Sequence, residues 1–400
     1  MKKLMVVQYD GKMNGSGIGL LAIMRMMKER FDIVVYCNDT PNHLIKHYDE
    51  EGYCVKPVRY IAGFMYLNGG PPLFSVGFLA PLIKMKDAVH EWETIIRHEK
   101  PDIVLVNSMV LSWMWKPIKA CSAIAICHVR EVMPNRRSIR GRYMLQNLEH
   151  FDAVWYISEH EKNYFSLRYP STDIMRDCLT EPLRGETKID IENLTNDRLN
   201  VLYVGGTSRL KGLDTLLRSM HYLEKRIAIT IAGYICEDSK TTWKIHDRSH
   251  LLKNVLGVIS SYNRHKMHNM LQDTIRDYGE RITLIGHQKD LSLLYKECDA
   301  LVFPSKAAHQ SRPAFEAGFF GKPVVISDFI QTAESVRHGY NGLTFTPNNP
   351  KALAEALNNL MNDCALRKRL GENNYRNSNE KHTYEAVKKH LDDFWLKFEI

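Results

Sequence analysis

Residues 299–327 read DALVFPSKAAHQSRPAFEAGFFGKPVVIS and decide the fold, because they contain one complete strand–loop–helix–strand unit. A short apolar run ends at Pro304, a polar loop follows, and a helix is predicted to begin near Pro313, since proline is favoured in the first helical turn. A second apolar run, Pro323–Ser327, follows the helix. Apolar strands joined by a helix are typical of a parallel sheet that is covered on both faces.

The same alternation of strands and helices continues through the rest of the chain. In the second half, the pattern predicts strands at Leu199–Val204, Ile227–Ala232, Ile282–Ile285, Ala300–Phe303 and Pro323–Ser327. In the first half, it predicts helices at Leu20–Arg30 and Lys86–His98, and strands at Leu4–Tyr9, Ile33–Cys37, Ile103–Asn107, Ala123–His128 and Ala153–Ile157. We therefore predict an α/β fold of two Rossmann-like, doubly wound domains, with a ligand in the cleft between them at the carboxyl ends of the strands.

The domain boundaries are predicted from composition. The polar stretch Arg184–Asn200 has little apolar content and is interpreted as the linker. We therefore predict one domain over residues 1–190, a second over 191–380, and an amphipathic C-terminal helix over 381–400, which docks on its own domain or crosses back to the first. The segment Ser239–Arg276 is basic and rich in histidine, and is interpreted as an inserted helical excursion of unassigned role.

The composition is ordinary for a globular protein of 400 residues, with 44% hydrophobic and 25% charged side chains. No stretch approaches the ~20 continuous apolar residues of a membrane span. The start, MKKLMVVQYD, is interpreted as a first strand rather than a signal peptide. Eight scattered cysteines without a CxxC pair favour reduced thiols in the cytoplasm.

The formal net charge of +8 points to anionic partners. An excess of this size suits an anionic ligand, or peripheral contact with the anionic inner surface of a membrane. Nucleic acid is not expected as a partner, because the sequence has neither zinc-finger spacing nor an aromatic–basic RNP pattern.

The loop and helix start at residues 310–316 form the first candidate ligand site. Ser311 is placed to cap the helix, whose free amides and dipole make an anion site, and Arg312 adds a planar donor that matches phosphate oxygens. Glu316 lies one turn further on, where its carboxylate can accept hydrogen bonds from two vicinal ribose hydroxyls. Gln310 is assigned to the same ligand. The alternative is a capped helix in which Glu316 only interacts favourably with the helix dipole.

The turn after the strand Leu199–Val204 is the second candidate. Gly205 and Gly206 allow a ligand to approach the backbone closely, and Arg209 and Lys211 can neutralise a diphosphate. Strand–glycine–helix junctions are common, so this turn is informative only together with the first candidate.

Two segments of the first half are also candidates. Gly15 and Gly17 belong to a G-x-G-x-G pattern that lacks the dinucleotide-binding spacing, so we predict a loop that lines the cleft near a sugar or acceptor, or else a flexible connection. His128 ends a predicted strand and either faces the cleft or is a buried structural histidine. A basic cluster follows and is either a solvated face or a contact for an anionic, lipid-linked acceptor; it contains Arg136, Arg137, Arg140 and Arg142.

Taken together, these segments resemble the retaining glycosyltransferases of family 4, which have the GT-B fold. The resemblance is carried by an ordered series of motifs: Asp299–Ser305, Arg312–Ala317, Gly321–Val325, Glu334–Val336, Asn341–Leu343 and Pro350–Leu353. It implies an acceptor-side domain over 1–190 and a nucleotide-sugar-binding domain over 191–380. It also implies transfer of a hexose-type sugar from a UDP- or GDP-sugar to a glycan or lipid-linked acceptor, as in bacterial capsule, polysaccharide or lipopolysaccharide assembly.

The family's functional residues can be matched position by position. Glu316 matches the glutamate that binds the ribose hydroxyls, and Lys211 matches the lysine that neutralises the donor diphosphate. His128 matches a first-domain histidine near the transferred sugar, thought to assist through its carbonyl or its ring. The loop Gly15–Gly19 matches the glycine loop beneath the sugar and phosphates. The catalytic residues are thus predicted to be His128, Lys211 and Arg209, without a cofactor and without a required metal, since no Asp-x-Asp pair is present to hold one.

Two departures from the family pattern leave other functions open. Ala308 stands where the family has a glutamate that contacts the sugar, and Gly206 stands where an arginine precedes the lysine by five positions; Arg209 or Arg312 can supply that charge. The alternatives are a GT-B sugar-nucleotide 2-epimerase and a catalytically silent nucleotide-sugar-binding protein. The block Asn341–Leu343 favours transfer over epimerisation.

Overall fold

The computed structural model divides the chain into two compact units. Unit 1 comprises Met1–Pro182 together with Lys381–Ile400, and unit 2 comprises Leu183–Glu380. Most of the predicted linker and the first part of the predicted insertion lie outside the residues that the structure describes. The described residues are 1–12, 14–39, 42–58, 83–133, 135–179, 197–207, 209–233, 266–288, 290–308 and 310–398.

Within the described residues, unit 1 contains a sheet of seven parallel strands. The strands are β1 (Lys2–Val7), β2 (Phe31–Asn38), β3 (Cys54–Val58), β4 (Ile103–Val106), β5 (Ile124–Val129), β6 (Ala153–Tyr156) and β7 (Ser171–Ile174). Their order in the sheet is β3-β2-β1-β4-β5-β6-β7. The chain order reverses between β1 and β4, which is the point where doubly wound sheets bind ligands. The helices between the strands are α1 (Gly15–Met27), α2 (His43–Glu50), α3 (Met85–Glu99), α4 (Trp115–Ala120), α5 (Ile139–Leu148) and α6 (Glu159–Phe165).

The described part of unit 2 repeats this architecture with six parallel strands. The strands are β8 (Leu199–Val204), β9 (Ile227–Ala232), β10 (Ile282–Ile285), β11 (Ala300–Phe303), β12 (Val324–Ser327) and β13 (Gly342–Phe345). Their order is β10-β9-β8-β11-β12-β13, so the reversal lies between β8 and β11. Residues 266–278 are helical. The other helices are α7 (Leu213–Ser219), α8 (Ser292–Glu297), α9 (Arg312–Phe319), α10 (Pro350–Asn362) and α11 (Cys364–Lys381).

The last helix, α12 (Tyr384–Lys397), completes the core of unit 1. Its buried side chains are Val387, Leu391, Phe394 and Trp395. The ring of Trp395 lies 5.0 Å from that of Phe31 and 5.8 Å from that of Trp155, measured between ring centroids. Burial of each large apolar side chain contributes roughly 1.5–3 kcal/mol, so unit 1 depends on this helix for its stability.

The strands that the sequence did not predict all lie at an edge of a sheet. They are β3, β7 and β13; the predicted strands agree with the observed ones within two residues at each end. The sequences CVKPV of β3 and STDI of β7 are only partly apolar, because an edge strand is less covered and tolerates proline. In β13, a Cβ atom at Gly342 would lie 2.3 Å from the carbonyl oxygen of Val324, so the strand needs a glycine that lowers its apolar content.

A buried carboxylate of α3 makes the stability of unit 1 depend on pH. Glu99 accepts hydrogen bonds from Lys3 Nζ at 2.7 Å, from Tyr36 Oη at 2.7 Å and from Lys56 Nζ. Burial would raise the pKa of Glu99, but these hydrogen bonds outweigh it and lower the pKa from 4.5 to about 2. The folded-state pKa is therefore below the unfolded one. Its contribution to stability is complete above pH 4.5 and is lost as the pH falls towards 2.

We accordingly expect Glu99→Gln to lower the free energy of unfolding by roughly 1–3 kcal/mol at pH 7. The difference from the wild type should shrink as the pH falls below 4.5, because the wild-type carboxylate then takes up a proton. Urea unfolding at a series of pH values measures both effects. Glu91→Gln, on an exposed position of the same helix, is the matched control. A pH-independent difference would contradict the ion-pair account.

Candidate functional site

The turn between β8 and α7 packs on the carboxyl end of β11. Gly212 has a φ of +76°, and a Cβ atom there would lie 1.7 Å from the carbonyl oxygen of Pro304. Gly206 has a φ of +58°, and its carbonyl accepts a hydrogen bond from Tyr203 Oη at 3.1 Å. A Cβ atom at Gly205 would lie 2.5 Å from that hydroxyl. Gly212 therefore lets the turn approach the carboxyl end of β11 closely, whereas Gly205 and Gly206 let the start of the turn pack against Tyr203 of β8.

Lys211 lies in this turn, largely buried beside β11. Its Nζ is 5.0 Å from the ring centroid of Phe303, in a cation–π geometry. Burial lowers the pKa of Lys211 from 10.5 to about 8. A desolvated ammonium group of this kind interacts strongly with an anion, because little water screens it. The backbone of Arg209 belongs to the same turn, whereas its side chain lies outside what the structure describes.

The loop after β11 is joined to the Lys211 turn by two contacts of Lys306. Its amide donates to the carbonyl oxygen of Leu210 at 2.9 Å, and its Nζ forms an ion pair with Asp214 Oδ2, in the first turn of α7. The side chains are only 19% and 12% exposed, respectively, so solvent screens the pair little. The contacts bring the Lys211 turn and the loop that leads to α9 to the same edge of the sheet.

Glu316 lies in α9, and its carboxylate is held from two sides. Arg312 Nε donates to Oε1 at 2.7 Å, and Tyr295 Oη donates to Oε2 at 2.7 Å. Arg312 and Glu316 are 14% and 15% exposed, respectively, so both remain accessible at one side. The guanidinium group of Arg312 is therefore an ion-pair partner of Glu316, in addition to any contact with a phosphate.

The loop before α9 contains buried polar side chains. Ser311 occupies the N-cap position with an extended backbone, as predicted, but its side chain makes no capping hydrogen bond. Its Oγ is buried without a partner among the described residues, as is Ser305 Oγ at the start of the same loop. Gln310 Nε2 donates to the carbonyl oxygen of Gln331 at 3.2 Å, and Ser335 Oγ donates to Gln310 Oε1 at 3.4 Å. Gln310 thus links this loop to the segment after β12.

The far side of α9 is packed tightly against α11. A Cβ atom at Gly318 would lie 2.0 Å from Ser378 Oγ. Asn374 Nδ2 donates to the carbonyl oxygens of Ala314 and Lys322, at 3.3 and 2.9 Å, and its Oδ1 accepts from Asn341 Nδ2 at 3.1 Å. The helix that carries Arg312 and Glu316 is therefore rigidly placed in unit 2.

The predicted glycine loop of unit 1 is the first turn of α1. The helix begins at Gly15, five residues earlier than predicted, because Asn14 caps it: Asn14 Oδ1 accepts from the amides of Ser16 and Gly17 at 3.0 and 3.2 Å. These two amides are therefore already bound to a side chain. A Cβ atom at Gly15 would meet no atom within 4 Å, so the first turn is open on that side.

His128 lies at the end of β5 and is completely buried. Its Nε2 is 3.1 Å from the carbonyl oxygen of Met175, and its ring lies edge-on to Trp155, with 6.0 Å between the ring centroids. Burial, and secondarily the charge of Arg130, lower the pKa of His128 to about 3. The ring is therefore neutral at physiological pH. These contacts are those expected of a buried structural histidine, which is one of the two interpretations that the sequence allows.

The predicted basic cluster surrounds the start of α5. Arg136, Arg137 and Arg142 are exposed, and Arg136 Nη1 donates to the carbonyl oxygen of Tyr164 at 2.8 Å. Ile139 in the same stretch is 53% exposed. Among the described helices, none combines the length and the apolar character that crossing a bilayer requires.

Sequence reasoning gave no role to Tyr295, Lys306 or Asp214. Each contacts a predicted site residue or the turn that contains one. These contacts join segments that are distant in the sequence; Asp214 and Lys306, for example, are 92 positions apart. The sequence offered one signal, the position of Tyr295 in the helix before β11. Within the described ranges, no three metal-binding side chains converge on one point.

Comparison with known proteins agrees with this architecture. Residues 185–377 match the family model of glycosyl transferases group 1. The structure of HepE from Anabaena, in complex with UDP and glucose, superposes with a TM-score of 0.72 over 98% of this chain and 99% of that one, at 17% sequence identity. The fold is thus that of the GT-B glycosyltransferases, with two Rossmann-like domains, and the C-terminal half contains a glycosyl transferases group 1 domain.

Two curated relatives are also described as glycosyltransferases. An uncharacterized glycosyltransferase of Methanocaldococcus jannaschii is 27% identical over 214 residues, which are 52% of this chain and 48% of that protein. The capsular polysaccharide biosynthesis glycosyltransferase CapM of Staphylococcus aureus is 23% identical over 205 residues, 51% of this chain and 48% of that protein. The chain therefore matches about half the length of these relatives. The similarities support a glycosyltransferase.

Proposed function

We propose that the protein is a retaining glycosyltransferase that moves a hexose-type sugar from a nucleotide-diphosphate donor to a glycan or lipid-linked acceptor. The observation that carries the proposal is the arrangement at the carboxyl ends of β8 and β11. A desolvated lysine, Lys211, and a fixed carboxylate, Glu316, flank the loop that follows β11. The first suits the diphosphate of a donor and the second suits its ribose.

The residues of unit 2 act mainly on the leaving group. As the glycosidic bond breaks, negative charge grows on the departing diphosphate, and Lys211 stabilises it together with the amides at the start of α9. Arg209 and Arg312 are further candidates for stabilising this charge. The residues proposed to line the donor site are Gln310, Ser311, Gly205 and Gly206. Among the described residues at this end of unit 2, the carboxylate of Glu316 is proposed to bind the ribose, so it is not available as a nucleophile for the anomeric carbon. Retention is what the family resemblance implies. Without a carboxylate nucleophile, it calls for attack from the side of the leaving group, with the departing phosphate taking the proton of the acceptor hydroxyl.

Unit 1 is assigned to the acceptor. The open first turn of α1, with Gly15 and Gly17, is proposed to contact a sugar ligand of unit 1. We propose that His128 contributes through its backbone carbonyl at the end of β5. Its ring is buried and neutral, so it is not proposed to transfer a proton. The exposed arginines at the start of α5, with Ile139, suit an anionic, lipid-linked acceptor at a cytoplasmic membrane surface. The likeness to CapM suggests capsule or other polysaccharide assembly as the setting.

One experiment tests the reaction class. The protein is incubated with UDP- and GDP-hexoses, with and without lipid-linked and glycan acceptors, and products are followed by proton NMR. We expect acceptor-dependent release of nucleoside diphosphate and a product whose anomeric configuration is that of the donor. An inverted anomer would refute retention, epimerised sugar without acceptor would favour the epimerase, and donor binding without turnover would favour a silent binding protein.

We further propose that the reaction needs no metal ion, because Lys211 and the start of α9 supply the positive charge that a cation would otherwise provide. Dialysis against EDTA should therefore change turnover less than about twofold, within ordinary assay error, since no charge stabilisation is removed. Re-addition of Mg²⁺ or Mn²⁺ to the dialysed protein is the control. Loss of activity on dialysis and its recovery with either ion would contradict the proposal.

A further inference from the structure

We propose that Tyr295 is a positioning residue for nucleotide recognition, which fixes the carboxylate of Glu316 in the orientation that accepts two vicinal ribose hydroxyls of the donor. The inference rests on the proposed function, since it specifies how that site distinguishes a ribonucleotide from other anions. Tyr295 acts through Glu316, whose Oε2 accepts the tyrosine hydroxyl at 2.7 Å.

The position of the tyrosine hydroxyl is set by packing. Tyr295 lies in α8 with its side chain almost fully buried, and its ring stacks on Phe320 with 5.7 Å between centroids and 21° between planes. Phe320 caps the carboxyl end of α9, the helix that carries Glu316. Burial and the neighbouring carboxylate raise the pKa of Tyr295 well above 10, so the hydroxyl keeps its proton and donates at any physiological pH.

The second carboxylate oxygen is fixed by Arg312. Its Nε donates to Oε1 at 2.7 Å, and its guanidinium group lies 5.4 Å from the ring centroid of Phe315. Rotation of the carboxylate about its terminal bond would break both hydrogen bonds together. A carboxylate has about four lone-pair sites, two on each oxygen. The two contacts use one site on each oxygen, which leaves one on each for the two hydroxyls of a vicinal diol.

The consequence is a division of roles among three side chains. Glu316 makes the contacts with the ribose, whereas Tyr295 holds it and makes none. Without the tyrosine hydroxyl, the carboxylate would retain its charge but would turn about Arg312, and only one of its oxygens would still meet a ribose hydroxyl. The loss should therefore appear in binding of the ribose and not in the chemical step.

The experiment compares Tyr295→Phe with the wild type, using UDP-glucose and its 2′-deoxyuridine analogue as paired donors. The substitution keeps the ring and its stacking on Phe320. We expect the KM for UDP-glucose to rise about tenfold, as for one lost hydrogen bond to a charged group, with kcat changed less than about threefold. The KM for the deoxy donor should change little, so the preference for ribose should fall about tenfold. Tyr222→Phe, at a half-exposed tyrosine of the same unit, is the matched control.

The outcomes separate this inference from the proposed function. Suppose that the wild type and Glu316→Gln differ in their preference for ribose, while Tyr295→Phe keeps the wild-type preference. This result would overturn the role of Tyr295 alone. Absence of any ribose preference in the wild type would remove the proposed donor site as a whole. Calorimetric titration with UDP and 2′-deoxy-UDP gives the same comparison where turnover is too slow, and a thermal melt identifies unfolded protein.

Discussion

Replacing Lys211 with methionine is expected to lower kcat by about 10²–10³, the loss that follows removal of one preorganised group that stabilises transition-state charge. Methionine fills a similar volume beside Phe303, so the effect should come from the lost charge rather than from a cavity. Folding should be preserved, because the change removes a cation whose burial lowers its pKa to about 8 and is therefore costly.

The pH dependence of donor affinity gives an independent check on Lys211. The free protein loses this charge above about pH 8, while a bound diphosphate favours the protonated form and raises the pKa. Affinity for UDP should therefore be highest below pH 8 and should fall as the pH rises, and Lys211→Met should abolish that dependence. Calorimetric titrations between pH 6.5 and 9.5 measure it, with Lys351→Met, an exposed lysine on α10, as control. Full activity in Lys211→Met would refute the assignment.

Truncating Glu316 to alanine is expected to have the other large effect, a loss of about 10²–10⁴ in kcat/KM for the donor. Two hydrogen bonds from ribose to a charged acceptor account for a loss of this size, since each contributes about 1.5–3 kcal/mol. The change also leaves Arg312 without the carboxylate that it contacts at 2.7 Å, so some loss of stability is expected as well.

The comparison of two substitutions separates these contributions. Glu316→Gln keeps the shape and one acceptor oxygen, so it should lose less donor affinity than Glu316→Ala. Steady-state kinetics with varied donor and thermal melts of both variants measure the two effects. Glu355→Gln, on an exposed position of α10, is the control. If Glu316→Ala bound and used the donor as the wild type does, the ribose assignment would be wrong.

The central strands of both sheets could be predicted from the sequence, because strands covered on both faces are continuously apolar. The central strands β8, β9 and β11 were predicted to the residue, and so was β10, an edge strand whose sequence ITLI is mostly apolar. The edge strands β3, β7 and β13 could not be predicted in this way. These strands are partly exposed to solvent, or contain a proline or a glycine in close backbone contact. Each of these features lowers the apolar content, so a search for short apolar runs does not detect the strands.

For the candidate site, the sequence suggested Lys211, Arg312 and Glu316, but neither their mutual contacts nor the supporting residues Tyr295, Lys306 and Asp214. The approach of Gly212 to Pro304 depends on a left-handed backbone conformation, and no alternation of apolar residues encodes it. The pairing of Arg312 with Glu316 follows helical spacing and could have been inferred from the i,i+4 rule. The hydrogen bond from Tyr295 joins two separate helices, so only the tertiary structure reveals it. The burial of His128 was one of two alternatives, and only its surroundings in three dimensions distinguish them.

The assignment of α12 to unit 1 has a consequence for biosynthesis. A ribosome completes residues 183–380 before it reaches the helix that contributes Phe394 and Trp395 to the core of unit 1. The unit translated first is thus the one that finishes folding last, while the contiguous unit can fold as it emerges. A nascent chain would carry an uncovered apolar face beside Trp155 until residues 384–397 have been translated, so unit 1 exposes part of its core for longer during synthesis.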